Sequence, residues 1–416
     1  MSLFTARFSQ VVGAVTVGLV LGLGALSAQA AEEKKPPTVS SDVAKILKPA
    51  QDAAQKGDFD GSFTLAQQAL GIAKKPYDVE VALRIALYAA GKKQDFPTYA
   101  TLLEQLNTLD AVSAEEKAKS YKPLAQIYGQ QKNFDKAIGY AVKWTQSGGG
   151  AEAYTLLANL NLTQKDYANA VVALEHAVDG RLAAENELKQ LNFCYYQLML
   201  AATDEKTKAS FKQKRWDVME TLVARFLARD YVSDLLLIYQ EQKLDDRALL
   251  NMYRFMYEKD FMTRESEFVD YTDMALNLGA PAEALQVINR GIQKDLVKLI
   301  AKTDRNSTML AQAKQQTAED KKTIDKEAQT VKTGEASVKV GLAYLGLGEY
   351  QKAVDMIKQG LGPDRIATVK RVDDANMMLG VAYIKLGKPD EAKAAFTAAA
   401  ADARMSHVAK VWLSTL

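Results

Sequence analysis

The 416 residues exceed what one ordinary hydrophobic core holds, so several domains or a repeat array are expected. Hydrophobic residues at 48% and charged residues at 25% exclude overall disorder, and a formal charge of only +2 leaves no basic excess to neutralise a phosphate backbone, which excludes nucleic acid as a partner class. Two histidines, His176 and His407, and a single Cys194 cannot supply a structural zinc site or an internal disulfide; no metal and no cofactor is expected.

In chain order, residues 1–30 read as a secretory signal peptide. Arg7 is their only charged side chain, Val11 to Leu26 is an uncharged apolar run, and Ala28, Gln29 and Ala30 offer small residues for cleavage. An uncleaved membrane anchor is the alternative. Removing the segment takes the basic count from 53 to 52 against 51 acidic residues, a nearly neutral mature chain expected in the periplasm. Residues 31–40, polar with two prolines, read as a linker, and Ser41 with Asp42 as the cap of a first helix.

From there one pattern returns at a period of about 33–39 residues. It is clearest at Tyr154, Leu157, Ala158, Lys165, Tyr167, Ala170, Leu174 and Ala177, and again at Leu379, Gly380, Tyr383, Gly387, Ala392, Phe396 and Ala399. Small residues stand where two short helices would cross, and larger ones fill the hollows around them. Other copies centre on Tyr121–Trp144, Leu235–Phe255, Phe268–Ile288 and Val340–Ile357, with weaker ones near Ile46–Ala69 and Leu83–Leu106. A degenerate, long-helix copy is expected over Leu182–Leu227. Polar or glycine-bearing turns recur at Gly57, Lys132, Lys165, Gly348 and Gly387, and no segment alternates with period two, so almost no strand is predicted.

This pattern resembles the tetratricopeptide repeat (TPR) superfamily over roughly residues 41–400. The resemblance implies an all-α, right-handed superhelical solenoid of about nine helix pairs, with an extended concave face that binds other proteins. The expected organisation is an N-terminal array at 41–180, degenerate long-helix units at 181–263, a repeat plus a helical insertion at 264–333, and a C-terminal pair with a capping helix through Trp412 at 334–416. The insertion, rich in Lys, Gln, Asp and Ala, reads either as a lengthened helix pair or as a protruding hairpin.

No nucleophile elbow, zinc-protease motif, dinucleotide fingerprint or Walker sequence is present, so no catalytic residue is assigned. Ser406 and His407 are adjacent and point apart on a helix. Cys194 sits among aromatics and reads as an inert buried thiol. Asp245–Asp246 and Asp373–Asp374 read as helix starts.

In the repeat frame the first helix of each pair lines the groove. That makes Lys122, Gln126, Gln130, Glu152, Thr155 and Asn159 a polar face able to hydrogen-bond an extended peptide. Lys122 with Asn159 resembles part of the carboxylate clamp of some TPR proteins, but Leu156 stands where that clamp needs a polar residue. The corresponding C-terminal positions, Val338, Leu342, Leu345, Met377, Val381 and Ile384, form an apolar strip. It reads either as internal packing or as a groove for an amphipathic partner helix.

Asn192 to Leu198 (NFCYYQL), Ala280 to Ile288 (APAEALQVI) and Ala409 to Leu413 (AKVWL) also resemble a periplasmic TPR family whose genes commonly neighbour the TonB-ExbB-ExbD machinery. This resemblance implies an accessory of TonB-dependent uptake, with TonB, ExbD or a TonB-dependent receptor as partner, and membrane contact only through partners. An envelope-assembly or polysaccharide-export adaptor and an enzyme of unrecognised type are the alternatives.

Overall fold

The computed structural model describes residues 37–179, 181 and 184–416. The signal-peptide reading and most of the linker reading lie outside the described residues. Contacts divide the chain into two units, Met1–Glu187 and Leu188–Leu416. The boundary falls inside a helix and not at 180, and the three segments expected over 181–416 form one unit.

The first unit holds four antiparallel pairs: α1 (Ser41–Gln55) with α2 (Phe59–Ile72), α3 (Pro76–Lys92) with α4 (Phe96–Asn107), α5 (Ala114–Gln130) with α6 (Phe134–Gln146), and α7 (Gly150–Thr163) with α8 (Tyr167–Val178). α9 (Glu185–Ala201) begins at its end. Each pair is built the same way. Alanines at the crossings, among them Ala50, Ala66, Ala125, Ala137, Ala158 and Ala170, are fully buried, letting the backbones approach closely. The chain then reverses through one left-handed residue, Gly57, Gln94, Lys132 or Lys165. The next residue, Asp58, Asp95, Asn133 or Asp166, caps the second helix by accepting from the backbone N–H three residues on. The start of the first helix differs from the expectation. Ser40 precedes it and makes no side-chain cap; its hydroxyl and its N–H both donate to Asp78, at 2.6 and 2.8 Å.

The second unit continues with α9 paired to α10 (Glu205–Phe226), α11 (Arg229–Glu241) to α12 (Asp246–Glu258), α13 (Glu265–Asn277) to α14 (Pro281–Gln293), α16 (Gly334–Leu347) to α17 (Tyr350–Gly360), and α18 (Val372–Lys385) to α19 (Pro389–Ala400). Two helices stand alone, α15 (Arg305–Thr330) and α20 (Ser406–Leu413). The nine pairs among the described residues are those the period predicts. The insertion is neither a lengthened pair nor a hairpin. It is one 26-residue helix, α15, preceded by an irregular stretch. Met309, Ala313, Thr317 and Ile324 lie on one helical face and are buried along α14 and α16. Tyr344 and Lys352 hold Asp325 at 2.8 and 3.1 Å. In the irregular stretch before α15, Leu299 and Ile300 face solvent, while their neighbour Val297 is buried.

The second unit also closes on itself. Its last helices pack back on its early ones: α18 meets α12, and α20 meets α10 and α12. Trp412 of α20 is buried between Phe396 of α19 and Phe255 of α12, with ring centroids at 5.1 and 5.3 Å, and its indole N–H donates to the Asn251 carbonyl at 3.1 Å. The terminal helix expected as a cap is thus also the closing element.

Candidate protein-binding site

On the inner face of the first unit, side chains reach from one repeat to the next at about the repeat spacing. Arg84 of α3 takes Glu116 of α5 at 2.5 and 3.0 Å, and Glu80 within its own helix at 2.7 Å. Lys122 of α5 takes Glu152 of α7 at 2.5 Å and also lies 5.2 Å from the Trp144 ring centroid. Thr155 of α7 donates to Glu187 at 3.1 Å, which Arg181 also binds. The Arg84 guanidinium, hydrogen-bonded to Glu116 and opposed only by burial, holds its proton even more firmly than usual, and the same bond keeps the Glu116 carboxyl below its ordinary range.

These pairs show how the polar face assigned from sequence is disposed. Lys122 is half-buried and already faces Glu152. Gln126 is half-buried, and its Oε1 is buried with no hydrogen-bond partner. Asn159 is half-buried, with its carbonyl accepting from Thr163 at 2.8 Å. Gln130 and Glu152 are exposed. Leu156 packs against the core. The Lys122 and Asn159 arrangement is therefore not a carboxylate clamp: its only basic residue is neutralised by the neighbouring repeat.

In the second unit Val338, Leu342, Leu345, Met377 and Val381 are buried and Ile384 is half-buried. The strip is not an open groove. α16 packs against α14, α15 and α17, and α18 against α12, α17 and α19, so the strip packs internally, as expected of a large apolar patch. What remains beside Leu345 and Val381 is a cavity of about 40 Å³, lined also by Arg254, Tyr271, Glu283 and Lys385. That holds a few waters at most, against the roughly 300–1,000 Å³ of a small-molecule pocket.

Sequence reading missed the buried polar chain at this cavity. Arg254 binds Glu283 through both ends of its fork, at 2.7 and 2.8 Å, and Asn251 at 3.0 Å. Tyr271 donates to Glu283 at 2.5 Å. Burial raises the Glu283 carboxyl, but Arg254 and Tyr271 outweigh it and hold the group ionised; burial and the Glu283 charge push the Tyr271 hydroxyl far above its usual range. The signal was there to find: Arg254 is an arginine inside an otherwise core-forming stretch, NMYRFMY. Its partner lies in the quoted APAEALQVI stretch.

Cys194 and His176 pack as structural side chains. Cys194 is buried, and burial pushes its thiol up to about 11. His176 stacks on Tyr154 at 4.7 Å. Among the described residues no group of three or more His, Cys, Asp or Glu could hold a metal ion, and no helix is long and apolar enough to cross a membrane.

The tetratricopeptide repeat family model matches residues 151–179 and 373–401. These are the α7–α8 pair of the first unit and the α18–α19 pair of the second, so each unit carries a tetratricopeptide repeat. No curated protein sequence matches the chain. Solved structures similar to it include the TPR2AB-domain:pHSP90 complex of yeast Sti1, at 14% identity and TM-score 0.33, over 66% of this chain and 99% of that one. Another is a tetratricopeptide repeat protein from Parabacteroides merdae, at 10% identity and TM-score 0.30, over 82% and 99%. A third is the Cut9-Hcn1 hetero-tetramer of APC/C, at 14% identity and TM-score 0.23, over 90% and 85%.

Proposed function

We propose that the protein is a non-catalytic interaction scaffold of the cell envelope, exported by its N-terminal segment, that binds a protein partner along the inner face of its first array. The observation that carries this reading is the contrast between the two arrays. The first presents a polar face along α3, α5 and α7, with Lys119, Gln130 and Glu152 exposed on it. The second has folded its corresponding face inward. Tetratricopeptide repeats are built for this use, since stacked pairs create a long surface without needing a pocket.

Within that role the partner we favour is the TonB system, as TonB, ExbD or a TonB-dependent receptor, on the strength of the sequence resemblance alone. The test is crosslinking in cells of the tagged mature protein, followed by mass spectrometry, beside a control protein exported by the same signal. Enrichment of TonB, ExbD or a receptor, lost in a Lys122→Glu, Gln126→Ala, Asn159→Ala variant of unchanged helicity, supports the whole reading. Enrichment of cell-wall or polysaccharide-export proteins keeps the scaffold and removes TonB. Retention in the cytoplasm overturns the envelope assignment.

A further inference from the structure

Of the exposed large apolar side chains among the described residues, three share one helix face. Phe193, Tyr196 and Leu200 of α9 are 47%, 39% and 59% exposed. They stand three and four residues apart, so they form one stripe over two turns, and exposed Lys189 extends it by a further turn. The neighbouring helix supplies charge beside it. Lys208, Lys212 and Arg215 follow the same kind of spacing along α10. Arg215 ties the two stripes together: its guanidinium lies 4.8 Å from the Tyr196 ring centroid, and its Nε donates to Asn192 at 3.3 Å.

Little acid offsets this charge. Residues 188–215 hold six basic residues against two acidic ones, whereas the whole chain carries a net charge of only +2. Both acids are engaged. Asp204 caps α10 by accepting the Thr207 N–H at 2.8 Å, and Glu205 pairs with Lys208 at 2.9 Å. Lys189 and Lys212 are exposed and make no ion pair among the described residues.

We propose that this double stripe is a membrane-contact surface that lies on an anionic bilayer, with Phe193, Tyr196 and Leu200 entering the headgroup layer and the basic stripe facing lipid phosphates. The charge is complementary to such a surface, which attracts clustered lysines and arginines that have no acid beside them. The apolar members are of the kind that settles at a lipid–water boundary, an aromatic ring with a polar tip beside Phe and Leu. Lysine stems can lie along the apolar stripe while their ammonium groups reach the phosphates. Side chains about half exposed stand out from the surface. A headgroup layer accepts such a ridge, whereas a partner helix needs a groove. This contact is direct, in addition to any made through protein partners, and does not rest on the scaffold reading.

The experiment is vesicle flotation of the chain lacking residues 1–30, which keeps every described residue and removes an apolar run that would itself enter lipid. Vesicles of phosphatidylglycerol with phosphatidylethanolamine should carry the protein at low salt and release it at high salt, and phosphatidylcholine vesicles should not carry it. Lys189→Gln with Lys212→Gln, and separately Phe193→Ser with Leu200→Ser, should each weaken binding by about tenfold with helicity unchanged. Lys314→Gln with Lys321→Gln, an equal loss of exposed charge on α15, should bind as wild type. The proposal fails if wild type does not float with anionic vesicles, if neutral vesicles carry it equally, if neither α9–α10 variant weakens binding, or if the α15 variant weakens it as much. If the wild type ignores vesicles but binds a synthetic Glu- and Leu-rich amphipathic peptide through these residues, the surface takes an acidic protein helix and the bilayer assignment is wrong. No protein partner enters the flotation readout, so the scaffold reading keeps its own test.

Discussion

Gly380 shows how much one position decides. It stands where α18 crosses α19, and a Cβ there would lie 2.4 Å from the buried Phe396 ring. Gly380→Ala should therefore destabilise the second unit by about 1–3 kcal/mol, through overpacking and not through backbone freedom. A urea melt followed by tryptophan emission, sensitive to the buried Trp412, would read it; an unchanged midpoint would mean the crossing is looser than the structure has it. The small residue was legible in the sequence because the repeat demands one at that spacing. The fate of the apolar strip was not, because periodicity gives the face of a helix and never what lies opposite. Leu342→Glu with Val381→Glu separates the two readings of it. With both side chains buried, each introduced carboxylate is taken out of water, and the double variant should lose on the order of 3–5 kcal/mol and unfold the second unit. Retained helicity at full stability would return the strip to the surface.

At the scale of elements, the turns within pairs repeat one device. Eight pairs reverse through a left-handed residue with φ between 54° and 83°: Gly57, Gln94, Lys132, Lys165, Lys243, Gly279, Gly348 and Gly387. In each, the following N–H bonds back to a carbonyl five residues earlier, at 2.8–3.1 Å, as at Asn133 to Tyr128 and Lys388 to Tyr383. Sequence reading found five of these turns from glycine or polar signals. Gln94 and Lys243 stand in polar runs of the same kind, which are too common in a charged sequence to single out a turn; there the conformation is imposed by the helices on either side. An L-residue in this region costs about 1–2 kcal/mol, which glycine avoids while giving back part of the gain as chain entropy. Lys132→Gly should thus stabilise the first unit by about 0.5–1 kcal/mol in a denaturant melt. A loss would show that the Lys132 side chain makes a contact worth more than the strain. α15 marks the opposite limit of legibility. Its helical composition was plain, but only tertiary packing decides that one face of a lone helix lies along α14 and α16.

Across each whole array, topology governs how order is lost. In the first unit each pair touches its neighbours in sequence, so stability is a chain of nearest-neighbour terms and fraying can begin at an end. In the second, closure joins the last pair to the early helices, which removes the free end and makes the contacts across this seam, buried apolar side chains of α20 with ion pairs such as Arg371 to Asp245, a condition of the array's full protection. That condition depends on pH. Burial raises the Asp245 carboxyl, but the Arg371 hydrogen bond and charge, with the Arg247 backbone N–H, outweigh it and hold the group below its ordinary value. A carboxyl depressed in the folded state adds stability in full above its unfolded value, about 3.9, and loses it as pH falls through the lower folded value. The seam should therefore hold from neutral pH down to about 4 and weaken below it. Asp245→Asn supplies the check. Hydrogen exchange in α18 and α20 should be faster than wild type near pH 7 and converge with it as pH falls below the lowered native value, where the native carboxyl is also neutral. A variant whose exchange differs equally at both ends would place the effect in helix capping, because Asp245 also accepts the Arg247 N–H at the start of α12. Convergence would assign it to the ion pair with Arg371 across the seam.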